Sequence, residues 1–417
     1  MQLRLARIGS LSLLLTACPA DADTDSATGS ATTDAASSTT SSDATTTTGD
    51  LPTSTTADPT TGTTAEPTTG TSGDSTTATA TTEATATTEA ATTTEATTTD
   101  ATTEATTGSV EGELGCAPAD QFDFASYLAD DCFCGDACDC YRNVPYGEAA
   151  SWNEPTLDDL EIHQAVDIYV PKGMSQGPAI LWAHANGSSK TINPGSGLAT
   201  NALMPALEAG QVVVSVEFRH PVTNYDIGAP RTDLVDAVQF IRCNAPTLGV
   251  DPERIAGMAS SRGTLMLWTA VQPELADPGS ADPVKRQSSR LLGVYAAQAQ
   301  TSYWGQWIAD TFYDPALHDL LLMQLPADDV ALGHAVGDVD ADAPRVELVY
   351  VDPLAELPIT LQTIGMVDPV HLPNFGDELC KAYAAAGHGE DCTVHYEVAQ
   401  NAIHAGSVTF FADLFGG

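Results

Sequence analysis

The stretch Asp251-Pro-Glu-Arg-Ile-Ala-Gly-Met-Ala-Ser-Ser-Arg-Gly263, followed by Thr-Leu-Met-Leu-Trp-Thr-Ala-Val271, reads as a buried strand that passes directly into an apolar helix. A nucleophile on such a sharp turn needs small residues two positions before and two positions after it, because the backbone folds back closely at both places. Ser261 meets this condition with an alanine and a glycine, whereas Ser260 would have a methionine and an arginine there. The pattern therefore favours Ser261 as a nucleophile, with a structural serine at a helix N-terminus as the alternative.

Strand-like and helix-like segments alternate on both sides of this turn. The strand-like segments are apolar or alternating runs at residues 166–170, 179–183, 211–216, 254–258, 291–296, 359–364 and 393–398. Helical spacing of apolar residues marks 233–243, and a further helix is predicted over 375–386 with Gly387 as its stop. Such alternation is typical of an α/β fold, a mostly parallel sheet covered by helices on both faces.

Two segments depart from this alternation. Residues 301–358 are rich in large apolar side chains, including Trp304, Trp307 and Phe312, and we predict that they form a cap or lid over the carboxyl edge of the sheet. A cysteine-rich extension, which includes residues 132–140, precedes the first predicted strand. No second break in composition divides the chain after residue 113, so we predict one folded domain over residues 113–417.

Four motifs occur in an order that resembles the esterase and lipase branch of the α/β-hydrolase family. They are Val166–Pro171, His184-Ala-Asn-Gly187, Val213–Arg219 and Asp251–Ile255 ahead of the turn, and the resemblance covers residues 164–415. It implies the α/β-hydrolase fold and a site for acyl transfer. In this family the backbone N–H groups of the loop after the third strand form an oxyanion hole with the residue after the nucleophile. The implied donors are Asn186, Gly187 and Arg262, and we expect His184 to anchor the loop.

The same resemblance implies the acid and the base. In this family the acid follows the seventh strand and the base follows the eighth, in the chain order Ser, Asp, His. Residues 359–370 match the first place and residues 393–406 match the second. The resemblance therefore implies that His404 removes the proton of Ser261 and that Asp368 orients the histidine ring.

Other residues compete for these roles. Asp352 also follows an apolar run, but it directly precedes Pro353, and choosing it would leave a surplus strand before the base. Three other histidines of this region, His371, His388 and His395, lie in a predicted loop, a helix end and a strand, where solvated or satisfied histidines are commoner. We therefore predict Asp368 and His404.

The N-terminus has the layout of an export signal. Two arginines precede the apolar run Ile8–Leu15, which ends in Leu-Thr-Ala-Cys18 and is too short to span a bilayer. It resembles a bacterial lipoprotein signal, which implies a signal peptide over residues 1–17 and lipidation of Cys18; an ordinary secretory signal is the alternative. Residues 18–112 are mostly Thr, Ser, Ala and Gly with scattered acidic residues, and we predict an acidic, disordered tether to the membrane of the cell envelope.

The cysteine count agrees with export. The chain has nine cysteines, and removing Cys18 leaves an even number in the globular part. We predict disulfides, including a pair between Cys380 and Cys392, and treat a metal knot at residues 132–140 as the alternative. Spacing alone leaves the other pairings open.

Charge and motif content limit the class of function. A formal net charge of −41 excludes a nucleic-acid binder, which needs a basic surface to meet phosphate. No metal-ligand spacing or phosphate-binding glycine loop appears, so we expect no metal and no cofactor. The leading expectation is a hydrolase of small-molecule or polymer-linked carboxylic esters that acts outside the cytoplasm. A peptidase of the prolyl-oligopeptidase kind and a non-catalytic binding protein on a hydrolase scaffold are the alternatives.

Overall fold

A computed structural model describes residues 115–147, 164–186, 188–219, 228–267, 274–323 and 333–416. The predicted signal peptide, Cys18 and the tether lie outside these residues. Among the residues described, no helix is both long and apolar enough to cross a membrane.

The strands form one mixed sheet in the order β1-β2-β3-β5-β4-β6-β7-β8-β9. Pairing is antiparallel from β1 to β5 and parallel from β5 through β4 and β6 to β9. The strands are β1 (Leu128–Ala129), β2 (Cys138–Pro145), β3 (Ala165–Pro171), β4 (Gly177–Ala183), β5 (Val212–Val216), β6 (Val250–Ser260), β7 (Gly293–Ala297), β8 (Arg345–Val349) and β9 (Cys392–His395).

Helices of the described residues connect these strands. They are α1 (Met204–Glu208), α2 (Gly228–Cys243), α3 (Ala245–Leu248), α4 (Gly305–Phe312), α5 (His318–Leu322), α6 (Ala335–Asp338), α7 (Asn374–Ala386) and α8 (Gly406–Gly416). Gly387 ends α7 with a positive φ of 96°, a left-handed conformation that glycine adopts at little cost. This confirms the stop predicted for that helix.

Both faces of the central strands β4, β5 and β7 are buried, which explains the continuous apolar runs of these strands. In β4, Ala179, Leu181 and Ala183 pack on the face covered by α2 and α7, while Ile180 and Trp182 pack on the face covered by α1 and α8. The alternation arises because successive side chains of a strand point to opposite faces. The predicted α/β class, with helices on both sides of a mostly parallel sheet, is confirmed.

One predicted strand is wrong. The strand between β7 and β9 is β8 (Arg345–Val349), which lies inside the segment predicted as a lid, and residues 359–364 form no strand. Ile359 instead pairs with Tyr313 in an isolated bridge. Residues 346–351 and 359–364 are both apolar and strand-like, and it is the earlier run that pairs with β7 and β9.

A third apolar cluster, separate from the two faces of the sheet, contains residues of the segment predicted as a cap. It joins α4 and α5 to residues from the segment 355–375, and we call it the cap cluster: Ile308, Ala309, Phe312, Tyr313, Leu317, Leu321, Ile359, Leu372 and Phe375. The segment that follows β8 therefore packs with α4 and α5 and not in the sheet.

Every cysteine of the described residues is in a disulfide. The pairs are Cys116–Cys243, Cys132–Cys140, Cys134–Cys138 and Cys380–Cys392. The predicted Cys380–Cys392 pair is confirmed and joins α7 to β9. The three sulfur atoms that are close enough to share a metal ion, those of Cys132, Cys134 and Cys138, are already engaged in these disulfides.

Candidate active site

The chain turns sharply at Ser261, which directly follows β6 and is the first residue of a 3-10 helix over Ser261–Leu265. Its φ is +48°, a left-handed conformation that costs a non-glycine residue free energy and is found where function requires it. At Gly263 a Cβ atom would lie 2.0 Å from the carbonyl oxygen of Ala183, at the end of β4. Only glycine fits there, so the glycine two residues after Ser261 serves the close approach of the turn to β4.

The hydroxyl of Ser261 is hydrogen-bonded to His371. The distance from its Oγ to Nε2 of His371 is 2.8 Å, and Nδ1 of His371 is 2.8 Å from Oδ2 of Asp368. The side chain of His371 is 14% exposed and that of Asp368 is 42% exposed, so the pair borders solvent. A serine, a histidine and a carboxylate in this order form the arrangement that activates a nucleophilic hydroxyl.

Asp368 is oriented by its own loop. Its Oδ1 accepts the backbone N–H of Val370 at 2.9 Å and that of His371 at 3.3 Å, which leaves Oδ2 for the imidazole. Partial burial alone would raise the pKa of Asp368, but the hydrogen bond and charge of His371 and the backbone donors outweigh it. The pKa of Asp368 is therefore lowered, and the group is a carboxylate at neutral pH.

The cap positions His371. Leu372, the next residue, is 1% exposed and belongs to the cap cluster, and α7 begins two residues later at Asn374. Tyr313, another member of that cluster, has its pKa raised by burial and by the charge of Asp368. The histidine that meets Ser261 is thus carried by a segment packed against the cap.

The structure contradicts His404 as the partner of Ser261. The ring of His404 packs edge-on against Trp182, with 5.5 Å between centroids, and its buried Nδ1 has no hydrogen-bond partner among the described residues. Burial lowers the pKa of His404 to about 4, so the ring is neutral. Trp182 belongs to the core beneath α1 and α8, and Ser407 binds the backbone oxygen of His404. The start of α8 therefore directs this histidine toward the core.

The other residues considered as the acid or the base have partners other than Ser261 and His371. Asp352 follows β8 and is exposed, and its backbone oxygen accepts the N–H of Glu397. His388 contacts the backbone oxygen of Asp340, and His395 lies 3.2 Å from Glu347. The predicted acid, Asp368, is placed beside a histidine, although not the predicted one.

The predicted oxyanion loop lies directly beside the turn. Oδ1 of Asn186 accepts a hydrogen bond from Nη1 of Arg262 at 3.3 Å, and the guanidinium of Arg262 lies 5.2 Å from the ring centroid of Phe218. Gly187 lies outside the described residues. His184, predicted as an anchor, binds Glu217 through Nε2 at 3.2 Å. These contacts bring Asn186 and Arg262 together next to Ser261.

The short spacing between Asp368 and His371 was a sequence signal for this pair, but hydrophobic periodicity does not detect it. Asp368 and His371 are three residues apart in a loop, where an aspartate can bind the N–H groups of the following turn. That local geometry brings the two side chains together. Their contact with Ser261 is long-range and depends on the cap.

Comparison with known proteins finds a match to one family model. The family model BD-FAE, of an α/β-hydrolase-type esterase family, matches residues 166–277, which include β3 from its second residue, β4 to β6 and the turn at Ser261. This match supports ester hydrolysis as the chemistry. No curated protein matches the chain.

Several solved structures are similar to the chain. A truncated carbohydrate esterase from gut microbiota is 16% identical, with 73% of this chain and 100% of that chain covered and a TM-score of 0.46. An acetyl ester-xyloside bifunctional hydrolase from Caldicellulosiruptor lactoaceticus is 15% identical over 65% and 96% of the two chains, with a TM-score of 0.44. Esterase B from Lactobacillus rhamnosis is 14% identical over 67% and 87%, also at 0.44.

Proposed function

We propose that the chain is a serine hydrolase of carboxylic esters that acts through an acyl-enzyme on Ser261. The observation that carries this proposal is the pair of 2.8 Å hydrogen bonds from Ser261 through His371 to Asp368, at a turn where the serine has a positive φ. The family match over this turn agrees with ester chemistry.

Each group has a defined task in this mechanism. Nε2 of His371 takes the proton as Oγ of Ser261 attacks the acyl carbon, and it then gives that proton to the departing alkoxide. Water, deprotonated by the same nitrogen, hydrolyses the acyl-enzyme and regenerates the serine. Asp368 accepts the Nδ1–H and stabilises the imidazolium that forms in each step. The backbone N–H groups of Asn186, Gly187 and Arg262 are the proposed donors to the oxyanion.

A fluorophosphonate probe tests the nucleophile. Wild-type protein should be labelled at Ser261 and should hydrolyse p-nitrophenyl acetate, whereas Ser261→Ala should lose both properties while remaining folded by circular dichroism. Ser260→Ala is the matched control and should be labelled like wild type. Labelling of Ser261→Ala at the wild-type rate would refute the assignment. Unlabelled wild-type protein would favour a binding protein, and cleavage of prolyl peptides without ester hydrolysis would favour a peptidase.

We also propose that the enzyme acts outside the cytoplasm, held to a membrane of the cell envelope by lipid on Cys18. The support is the signal-like sequence of residues 1–18 and the disulfide pairing of the eight cysteines in the described residues. Mass spectrometry of the mature protein should find a diacylated N-terminal cysteine. An unmodified N-terminus would refute the anchor and leave the proposed chemistry intact.

A further inference from the structure

A single buried carboxylate holds both ends of the loop that carries the proposed donor Asn186. Glu217 directly follows β5 and is 1% exposed. Its Oε1 lies 3.2 Å from Nε2 of His184, and its Oε2 accepts the backbone N–H of Lys190 at 3.0 Å. We call the described residues between these contacts, 184–186 and 188–190, the elbow loop. One side chain therefore fixes the separation of its two ends.

The far end of the elbow loop has a second buried anchor. Nζ of Lys190 lies 2.9 Å from Oδ1 of Asp167 in β3 and 2.5 Å from Oδ1 of Asn143 in β2. Lys190 and Asp167 are both buried, and Asp167 also pairs with Arg142 at 2.7 Å. Displacing Lys190 would remove one of the two cations that pair with the buried Asp167, which is costly. The cysteine-rich part of the chain thus helps to hold the elbow loop through β2.

The residue after Glu217 also contacts the turn that carries Ser261. The ring of Phe218, the residue after Glu217, lies 4.8 Å from the ring of His184 and 5.2 Å from the guanidinium of Arg262. On the other side, Asn186 in the elbow loop accepts a hydrogen bond from Arg262. The segment Glu217–Phe218 therefore contacts the elbow loop and the turn together.

From this arrangement we infer that Glu217 is a positioning residue for the oxyanion hole, an inference that rests on the proposed function. Oxyanion donors must lie about 2.7–3.1 Å from the developing charge to be effective. A misplacement of about 1 Å can cost about 100-fold in rate, even when the cause is remote from the chemistry. Glu217 prevents that misplacement by holding His184 and Lys190 at fixed places around Asn186.

Hydrogen bonding, and not charge alone, performs this task. Nδ1 of His184 lies 2.9 Å from the carbonyl oxygen of Ala185 and its Nε2 faces Glu217, so both nitrogens face oxygen acceptors. A glutamine at position 217 can accept the N–H of Lys190 through its oxygen and donate its amide N–H to Nε2 of a neutral His184. A leucine of similar size can do neither and leaves both groups buried without partners.

Four variants test the inference: Glu217→Leu, Glu217→Gln, Lys190→Met and the control Asp233→Asn. Asp233 is also a buried carboxylate, but its partners are Arg219 and Gln164, outside the elbow loop. Turnover of p-nitrophenyl acetate is measured per active site, with sites counted by stoichiometric phosphonylation, so that unfolded protein does not lower the value. The inhibition constant of a trifluoromethyl ketone, whose adduct places an oxyanion in the hole, is measured on the same samples.

Glu217→Leu should lose about 30- to 100-fold in kcat with KM changed less than threefold, and the ketone should bind more weakly by the same factor. Glu217→Gln should stay within threefold of wild type, Lys190→Met should lose about tenfold, and Asp233→Asn should lose stability but keep its turnover per site. The inference is overturned if Glu217→Leu and Lys190→Met turn over like wild type, or if Glu217→Gln is as slow as Glu217→Leu. Wild-type protein that neither hydrolyses the ester nor reacts with the phosphonate would instead refute the proposed function.

Discussion

His404 offers a quantitative test, because its place in the core predicts how the stability of the fold depends on pH. Burial lowers its pKa from the ordinary value of 6.5 to about 4. The folded protein therefore disfavours the charged ring, while the unfolded chain does not. Stability from the neutral ring is fully present above pH 6.5 and is lost as the pH falls toward 4.

The magnitude follows from the difference between these pKa values. At about 1.4 kcal/mol for each pH unit, protonation of His404 alone should cost about 3 kcal/mol of unfolding free energy between neutral pH and pH 4. His404→Leu removes the titration and keeps a side chain of similar size against Trp182. Between neutral pH and pH 4, the unfolding free energy of the variant should therefore fall by about 3 kcal/mol less than that of the wild type. Loss of the aromatic contact should lower the unfolding free energy of the variant by a further, pH-independent amount of about 1 kcal/mol.

Urea unfolding followed by circular dichroism at a series of pH values measures both curves. Carboxylates titrate in the same range, but they are common to both proteins, so the difference between the curves isolates His404. Parallel curves for the wild type and His404→Leu would refute the placement of this histidine in the core. They would mean that the ring meets solvent or a charged partner.

Three further predictions concern the turn, the acid and a disulfide. Gly263→Ala should lower turnover per site at least about 100-fold, because its Cβ would meet the oxygen of Ala183, whereas Gly365→Ala, with open space around it, should match wild type. Asp368→Asn should lower kcat by up to about 10⁴ near neutral pH, whereas Asp352→Asn should not, and a wild-type rate for Asp368→Asn would contradict the assignment. Because the pKa of Asp368 lies below its ordinary value of 3.8, protonation of this group should not limit wild-type turnover above about pH 5. Replacing Cys380 and Cys392 by serine should lower the unfolding free energy by about 2–4 kcal/mol in urea without changing turnover per site, and an unchanged midpoint would argue against the bond.

The sheet and the turn at Ser261 were predictable because they depend on local rules. Strands buried on both faces read as continuous apolar runs, and the turn at Ser261 requires small residues at fixed offsets. Both features are visible within about ten residues of sequence. The stop of α7 at Gly387 is local in the same sense, since only the left-handed φ of one residue is involved.

The strand between β7 and β9 and the histidine partner of Ser261 were not predictable in this way. Residues 346–351 and 359–364 are both strand-like, and the choice depends on which run pairs with β7 and β9. Once β8 takes that place, Ile359 and Leu372 are free to join the cap cluster, and His371 is brought to Ser261 with them. His404 lies where the family pattern predicts a base, but packing against Trp182 turns its ring into the core. Both the choice of β8 and the choice of His371 therefore depend on long-range packing, which the local sequence does not show.

The pairing of Ser261 with His371 is tested most directly by comparing kcat/KM for p-nitrophenyl acetate in His371→Ala and His404→Ala, each corrected for the folded fraction. His371→Ala should lose at least about 10³-fold because the proton of Ser261 then has no acceptor, while His404→Ala should stay within about tenfold of wild type. A large loss in His404→Ala together with near wild-type rates in His371→Ala would contradict the account.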